Sequence, residues 1–292
     1  MAIKLYTKNY AGMLQDIFES KSVFLRAFGG EIQTIQGAEA DENFLHLKIS
    51  DTDVVIQDYS TDEDVAFGEG TGSSNRFGPR KEVKSIDLQV PFDTPLAIHE
   101  GIDSFTVNDI PDQVVAERLA LHAVAWAENY DAVMSKTLSE SASETLTGEL
   151  TENGVTKMFA DARKIFVNNK VSRNIPWVAY VTADIYNFLI DSDLAKKDKS
   201  SSANIDEQSM YKFKGFILEE LPDDKLQEGE DAYFVADGVG VAGLGIPVAR
   251  TIDSESFAGV AIQGAGKLGK YLPDKNKKDV LKATLRKPIP EG

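Results

Sequence analysis

Two glycine-rich stretches are the first residues whose types and spacing suit chemistry. Gly264-Ala-Gly266-Lys-Leu-Gly269 fits G-x-G-x-x-G, and Gly264 to Lys270 fits G-x-x-x-x-G-K. Glycines at such spacings let a backbone close on a phosphate, and a lysine neutralises it. The flanking residues argue against both uses. A dinucleotide loop needs a helix after its glycines, and Pro273 followed by the turn-like PDKNKKD leaves no room for one. A P-loop needs Ser or Thr after its lysine to hold Mg²⁺, and Tyr271 stands there. Gly238-Val-Gly240-Val-Ala-Gly243 repeats the pattern, but its sequel GLGIPVARTI contains Pro247 and reads as a strand. With 22 glycines in the chain, chance matches are expected. Turns between antiparallel strands are the favoured reading. A soluble nucleotide-binding enzyme using the Gly264, Gly266 and Gly269 loop is the alternative.

Other reactive constellations are thin. His46, His99 and His122 are the three histidines, and no two have a metal-ligand spacing such as H-x-x-x-H. His122 falls on an apolar helical line and reads as a satisfied structural imidazole. There is no G-x-S-x-G elbow and no cysteine, which excludes disulfides and thiolate metal sites. The 47 Asp and Glu residues are too many to single out an acid/base pair. Asp62, Glu63 and Asp64 stand together without the spacing of a calcium loop. No catalytic residue, metal ligand or cofactor is assigned. One charge pattern is more specific. Residues 62–81 are acidic on the first limb (Asp62, Glu63, Asp64) and basic on the second (Arg76, Arg80, Lys81), with Lys84 just beyond. Opposite limbs of this kind suit contacts in which one patch meets a different patch on another copy.

The elements that must carry these residues follow from periodicity. The chain has 292 residues and a net charge of −16, which argues against general binding to phosphate backbones. No apolar run reaches the ~20 residues of a membrane span, and MAIKLYTKNYAGMLQDIF lacks a signal-peptide core, so folding in a cytoplasm is expected. Residues 8–28 have helical spacing and end at Gly29-Gly30; such a helix docks on its own domain or on a neighbouring subunit. Residues 44–58 and 82–92 alternate as strands. The long glycine-rich stretch between them is a lid, a binding loop, a disordered segment, or an extended two-stranded arm held by a partner chain. Asp109 and Pro111 open a helix over 109–138, about 42 Å long. Its apolar line is Val115, Leu119, His122, Trp126, Tyr130 and Val133, and Val114, Leu121 and Ala125 add a second line that predicts a wide buried face. SESASETLTGELTENG reads as a loop. A helix over 154–168, a buried strand WVAYVT (177–182) and a short helix over 183–192 come next, then a polar, mobile stretch over 193–209. Strands are predicted at 215–221, 232–236, 246–252, 258–263 and 279–286. The pattern is α+β, without a regular βαβ repeat.

The order of these elements, together with WVAYVTADIYNFLIDSDLA, YKFKGFILEELPDD and VARTIDSESFAGVAIQGAGKLGKYLPDKNKKDVLKATL, resembles the Hong Kong 97-type major capsid protein of tailed bacteriophages. The resemblance implies an N-terminal arm over 1–35 and an extended β-hairpin loop with flanking strands over 36–100. It implies a peripheral domain with the long spine helix over 101–149, an axial domain over 150–265, and a return strand and tail over 266–292. It implies self-assembly into hexamers and pentamers of an icosahedral virion shell that encloses double-stranded DNA without specific recognition. Assembly would occur in the host cytoplasm, without membrane, cofactor or enzymatic activity. A separate scaffolding protein, a portal and decoration proteins are the implied partners. An encapsulin-like nanocompartment shares the fold and is the alternative. Lys81 and Lys84 lie near the loop, but nothing marks an asparagine partner, so the residues do not predict a covalent cross-link. Under this resemblance GAGKLGKYLP becomes a turn before the return strand, its glycines serving backbone freedom. Lys267, Lys270, Lys275, Lys277 and Lys278 become a basic island expected to meet a neighbouring subunit's carboxylates.

Overall fold

The computed structural model describes residues 22–30, 33–34, 42–50, 54–67, 75–106, 111–191, 203–204 and 209–286. In chain order the early strands are β1 (Gln33–Thr34), β2 (Asn43–Ser50), β3 (Ser85–Pro91) and β4 (Leu96–Asp103). Helix α1 (Pro111–Ser141), strand β5 (Glu144–Glu149), helix α2 (Glu152–Asn168), strand β6 (Trp177–Thr182) and helix α3 (Ala183–Asp191) follow. The later strands are β7 (Ala203–Asn204), β8 (Ser209–Met210), β9 (Lys212–Phe213), β10 (Phe216–Leu221), β11 (Ala232–Ala236), β12 (Val241–Asp253), β13 (Gly259–Tyr271) and β14 (Val280–Arg286). They form two units, residues 43–91 and the rest. The α+β reading holds.

The larger unit is built on two sheets. The six-stranded sheet has the order β5-β14-β11-β6-β10-β9. Every residue of β6 and of β11 is buried, as their unbroken apolar sequences require. Phe159 and Phe166 of α2 meet Phe216, Phe234 and Trp177 with ring centres 5.0–6.1 Å apart, mostly edge to face. Thr151 caps α2 by accepting from the Gly154 N–H at 3.1 Å. The four-stranded sheet has the order β1-β12-β13-β4. The β12–β13 register slips between Gly245 and Val248, where Pro247 cannot donate to the ladder.

Helix α1 serves both sheets. At ~1.5 Å per residue its 31 residues span about 46 Å. Val115 and Leu119, near its start, form a small core with Ile102 of β4 and Ile262 of β13. Trp126, Tyr130, Met134 and Leu138 join the main core with β6, β11 and β14. The expected second apolar line holds only at Val114, which packs on that small core: Leu121 is 53% exposed and Ala125 is also exposed. The expected cap Asp109 lies outside the described residues.

Several expectations change. Residues 8–21 of the expected N-terminal helix lie outside the described residues, and Leu25–Phe28 form one 3₁₀ turn closed by Gly29 at φ 101°. SESASETLTGELTENG holds a strand, β5, which pairs in parallel with β14. Its only large apolar side chain is Leu146; the ladder to β14, rather than hydrophobic alternation, makes it a strand. Residues 192–202 and 205–208 of the polar stretch lie outside the described residues, while β7 and β8 pair. The last strand, assigned by resemblance to a return to the peripheral domain, pairs with β11 and β5 in the six-stranded sheet. The segment that runs alongside β4 is β13.

Candidate functional site

The glycine motif is no phosphate cradle and no turn. Gly264, Gly266 and Gly269 lie inside β13, whose ladder to β12 extends from Val260 to Tyr271. Gly264 and Gly266 also pair with Ile98 and Leu96 of β4. None of the three has positive φ, so left-handed freedom is not their role. A phosphate loop needs amides opened toward a helix start, and here the strand continues. In the second motif Gly238 does make a turn, at φ 70°, and Gly243 lies in β12.

The smaller unit carries most of the residues singled out by charge. β2 and β3 pair antiparallel from Asn43–Pro91 to Ser50–Ser85. Beyond them, residues 54–62 and 80–84 have no regular structure. The limbs are nevertheless tied. The Ser60 amide donates to the Arg76 carbonyl at 3.0 Å, and the Tyr59 and Phe77 rings meet edge on at 5.1 Å. Arg76 donates to the Val65 and Asp62 carbonyls at 3.1 Å each and lies 4.9 Å from the centre of the Phe67 ring. Arg76 therefore holds its own loop together. Ser60 donates to the Asp62 carboxylate at 3.2 Å. Glu63, Asp64, Arg80 and Lys81 are exposed. Lys84 stands 3.8 Å from Glu82 with both side chains in solvent, a weak pair.

Sequence charge did not reveal the apolar surface of this unit. Val54 and Ile56 are 95% and 96% exposed, and Phe67, Phe77, Val83 and Ile86 are also open. A two-stranded ribbon has no interior in which to bury them. Concentrated apolar exposure marks a surface made to be covered. The signal was present in the sequence as TDVVIQDY, an apolar run inside a polar loop.

The lysine island is partly used within the chain. Lys270 donates to Asp93 at 2.6 Å, Lys277 pairs with Asp274 at 2.7 Å, and the Lys267 ammonium lies 5.8 Å from the centre of the Phe92 ring. The carboxylates that meet Lys270 and Lys277 belong to their own chain.

Spacing alone also missed the polar nodes that fix α1. Asp131 is fully buried; it accepts from the Ser22 hydroxyl at 2.7 Å, the Val23 amide at 3.1 Å and the Lys225 ammonium at 3.1 Å. It pins residues 22–23 to the middle of α1. Near the helix start, Glu100 of β4 accepts from the Arg118 guanidinium through both oxygens and meets His122 Nε2 at 2.9 Å. The bond from Arg118, with that from His122, holds the Glu100 carboxyl at about 2 against the penalty of burial. His122 is thus a partnered structural imidazole. His46 and His99 are exposed on β2 and β4. A third node joins Glu230, which accepts from Lys282 at 2.8 Å, Ser139 at 2.7 Å and the Tyr233 hydroxyl at 2.5 Å. Burial alone raises the Glu230 carboxyl, but these bonds outweigh it and leave it below its ordinary value. Burial, then the bond to Glu230, pushes Tyr233 up to about 12. Among the described residues no group of three or more His, Asp or Glu is placed to hold a metal ion. No described helix is long and apolar enough to cross a membrane.

No family model matches the sequence, and no curated protein matches it. Solved structures do. The capsid of the cyanophage P-SCSP1u is similar over 91% of this chain and 89% of its own, with a TM-score of 0.66 at 10% identity. The mature capsid of bacteriophage PhiM1 is similar over 90% of this chain and 87% of its own, with a TM-score of 0.64 at 12% identity. A virus-like particle from Pyrococcus furiosus is similar over 93% of this chain and 96% of its own, with a lower TM-score of 0.52 at 11% identity. At such identities the likeness is one of fold. The fold of this chain is that of the phage capsid proteins, the Hong Kong 97-like α+β fold.

Proposed function

We propose that this chain is the major capsid protein of a tailed bacteriophage, a structural subunit that assembles with itself into an icosahedral shell. The observation that carries this reading is the fold, shared over about nine-tenths of both chains with phage capsids. The apolar, tied hairpin over 43–91 supports it, since eight large apolar side chains stand exposed among its described residues and need a cover. Neighbouring subunits supply that cover. The exposed Arg80 and Lys81 on one limb and Glu63 and Asp64 on the other orient the contact, while Arg76 shapes the loop from within. Hexamers and pentamers are the ring forms of such a shell. Lys267 remains a candidate contact; Lys270 acts there only if it leaves Asp93.

The domain division takes new bounds. The six-stranded sheet with α2 and α3 is the axial domain, and the four-stranded sheet with the first half of α1 is the peripheral one. The net charge of −16 suits a wall that does not bind its DNA cargo tightly. A scaffold, a portal and decoration proteins complete the virion, and assembly takes place in the host cytoplasm. The second reading, a compartment enclosing protein, draws on the Pyrococcus particle and is disfavoured by its lower similarity. Particles purified after expression, sedimented and read for nucleic acid and for co-purifying protein, test both readings. A chain that sediments only as a monomer at every concentration contradicts both.

A further inference from the structure

Two corners of the six-stranded sheet carry opposite charge. Where β6 and β10 begin there is a cavity of about 240 Å³. Arg163 of α2, Arg173 of the loop before β6 and Lys212 of β9 line it, beside the buried Trp177 and Ile217. Among the described residues no carboxylate side chain is part of its lining. Arg163 and Arg173 make no ion pair among the described residues, and the Lys212 ammonium lies 5.5 Å from the centre of the Tyr211 ring. The turn from β9 to β10 is set by two left-handed residues, Lys214 at φ 47° and Gly215 at φ 98°. In a chain of net charge −16, a cavity whose described lining holds three cations and no acid is an exception. All three side chains are exposed, so their positive field reaches the solvent around the cavity.

At the opposite end, Leu221 of β10 leads through Pro222 into the 3₁₀ turn Asp223–Lys225. Lys225 is turned inward to Asp131. The exposed charges of the turn are therefore Asp223, Asp224 and Glu228, which make no ion pair among the described residues. β6 and β10 each run six residues between the two ends. At ~3.3 Å per residue the ends are about 20 Å apart, too far for the two patches to meet within one chain.

We infer that the cavity of Arg163, Arg173 and Lys212 receives the acidic turn of Asp223, Asp224 and Glu228 from a second copy of this chain, joining copies head to tail. Two different patches on every copy make a heterologous contact, which closes into a ring when its rotation closes. The contact deepens the shell reading and rests on it for the partner being another copy. The turn brings three exposed carboxylates, Asp223, Asp224 and Glu228, to one corner of the same sheet, complementary in charge to the cavity.

Disulfide trapping tests it. The chain has no cysteine, so only introduced thiols react. A disulfide needs Cα atoms within about 7 Å, so Arg173→Cys with Asp224→Cys can link only between copies. Under mild oxidation this double variant should give a ladder of linked oligomers on a non-reducing gel, and either single variant dimers at most. Adding Arg163→Glu and Lys212→Glu, both at the cavity edge, should cut the ladder at least tenfold, with folding checked by circular dichroism. Shells without a ladder would overturn the contact and leave the shell reading standing. A ladder with neither shells nor rings of five or six copies would support the contact and overturn the shell reading. Neither would overturn both. A ladder untouched by the charge reversals would also overturn the charge-driven contact. So would saturable binding of a DNA oligonucleotide lost in Arg163→Glu/Arg173→Glu with no ladder, which would assign the cavity to phosphodiesters.

Discussion

At the scale of single residues, buried charge decides more than exposed charge. Asp131 has no solvent access, and its oxygens are taken by Ser22, Val23 and Lys225. Asp131→Ala leaves these donors without an acceptor and should cost on the order of 3 kcal/mol in urea unfolding. It should also expose residues 22–24 to proteolysis before the global transition; equal protection in both proteins would mean they are held by packing alone. Glu100 gives a pH test. Its carboxyl is held at about 2 against an ordinary 4.5, so its contribution is full above pH 4.5 and is lost as pH falls toward 2. Glu100→Gln should be less stable by about 1–2 kcal/mol near neutrality. The two unfolding curves should converge between pH 4.5 and 2. A difference independent of pH would assign the loss to shape rather than charge. Neither residue stood out in the sequence. Asp131 is one acid beside the Tyr130 stripe, and its partners lie some 90 to 110 positions away, so no local spacing marks it.

At the scale of elements, legibility followed the source of each element's stability. WVAYVT was readable because β6 is buried on every side and every residue of it is apolar or hydroxylic. Helix α1 was readable because its apolar line repeats every three or four residues. β5 and the second half of β13 were not readable, because threonine- and glycine-rich strands take their order from a partner's ladder rather than from their own pattern. The wide face expected of α1 failed at Leu121 and Ala125 for a related reason: apolar content does not say whether a neighbour covers it. The β13–β4 ladder has a tight point at Gly259, where an added Cβ would stand 1.9 Å from the Ile102 carbonyl oxygen. Gly259→Ala should therefore destabilise the protein by about 1–3 kcal/mol. Amide exchange should quicken first along β4 and the start of β13. Unchanged protection there would show that the strands part without cost.

At the scale of the whole molecule, charge alone gave an incomplete account of the hairpin unit. Arg76, Arg80 and Lys81 looked alike in sequence, yet Arg76 is committed to Asp62, Val65 and Phe67 in its own loop. The roles separate in variants. Arg80→Glu with Lys81→Glu, or Ile56→Asp, should leave the monomer folded and lower the yield of assembled particles at least severalfold. Arg76→Glu should first loosen the loop, seen as faster proteolysis within 54–84. Normal yields from the first two variants would remove the hairpin from the assembly contacts. The strength of such a shell would come from many modest contacts repeated on every copy. The central claim is that this chain builds a closed shell from itself, and negative-stain electron microscopy of the purified protein tests it most directly. Uniform closed particles, or rings of five and six copies, are the expected result; a population that stays monomeric at high concentration would contradict it.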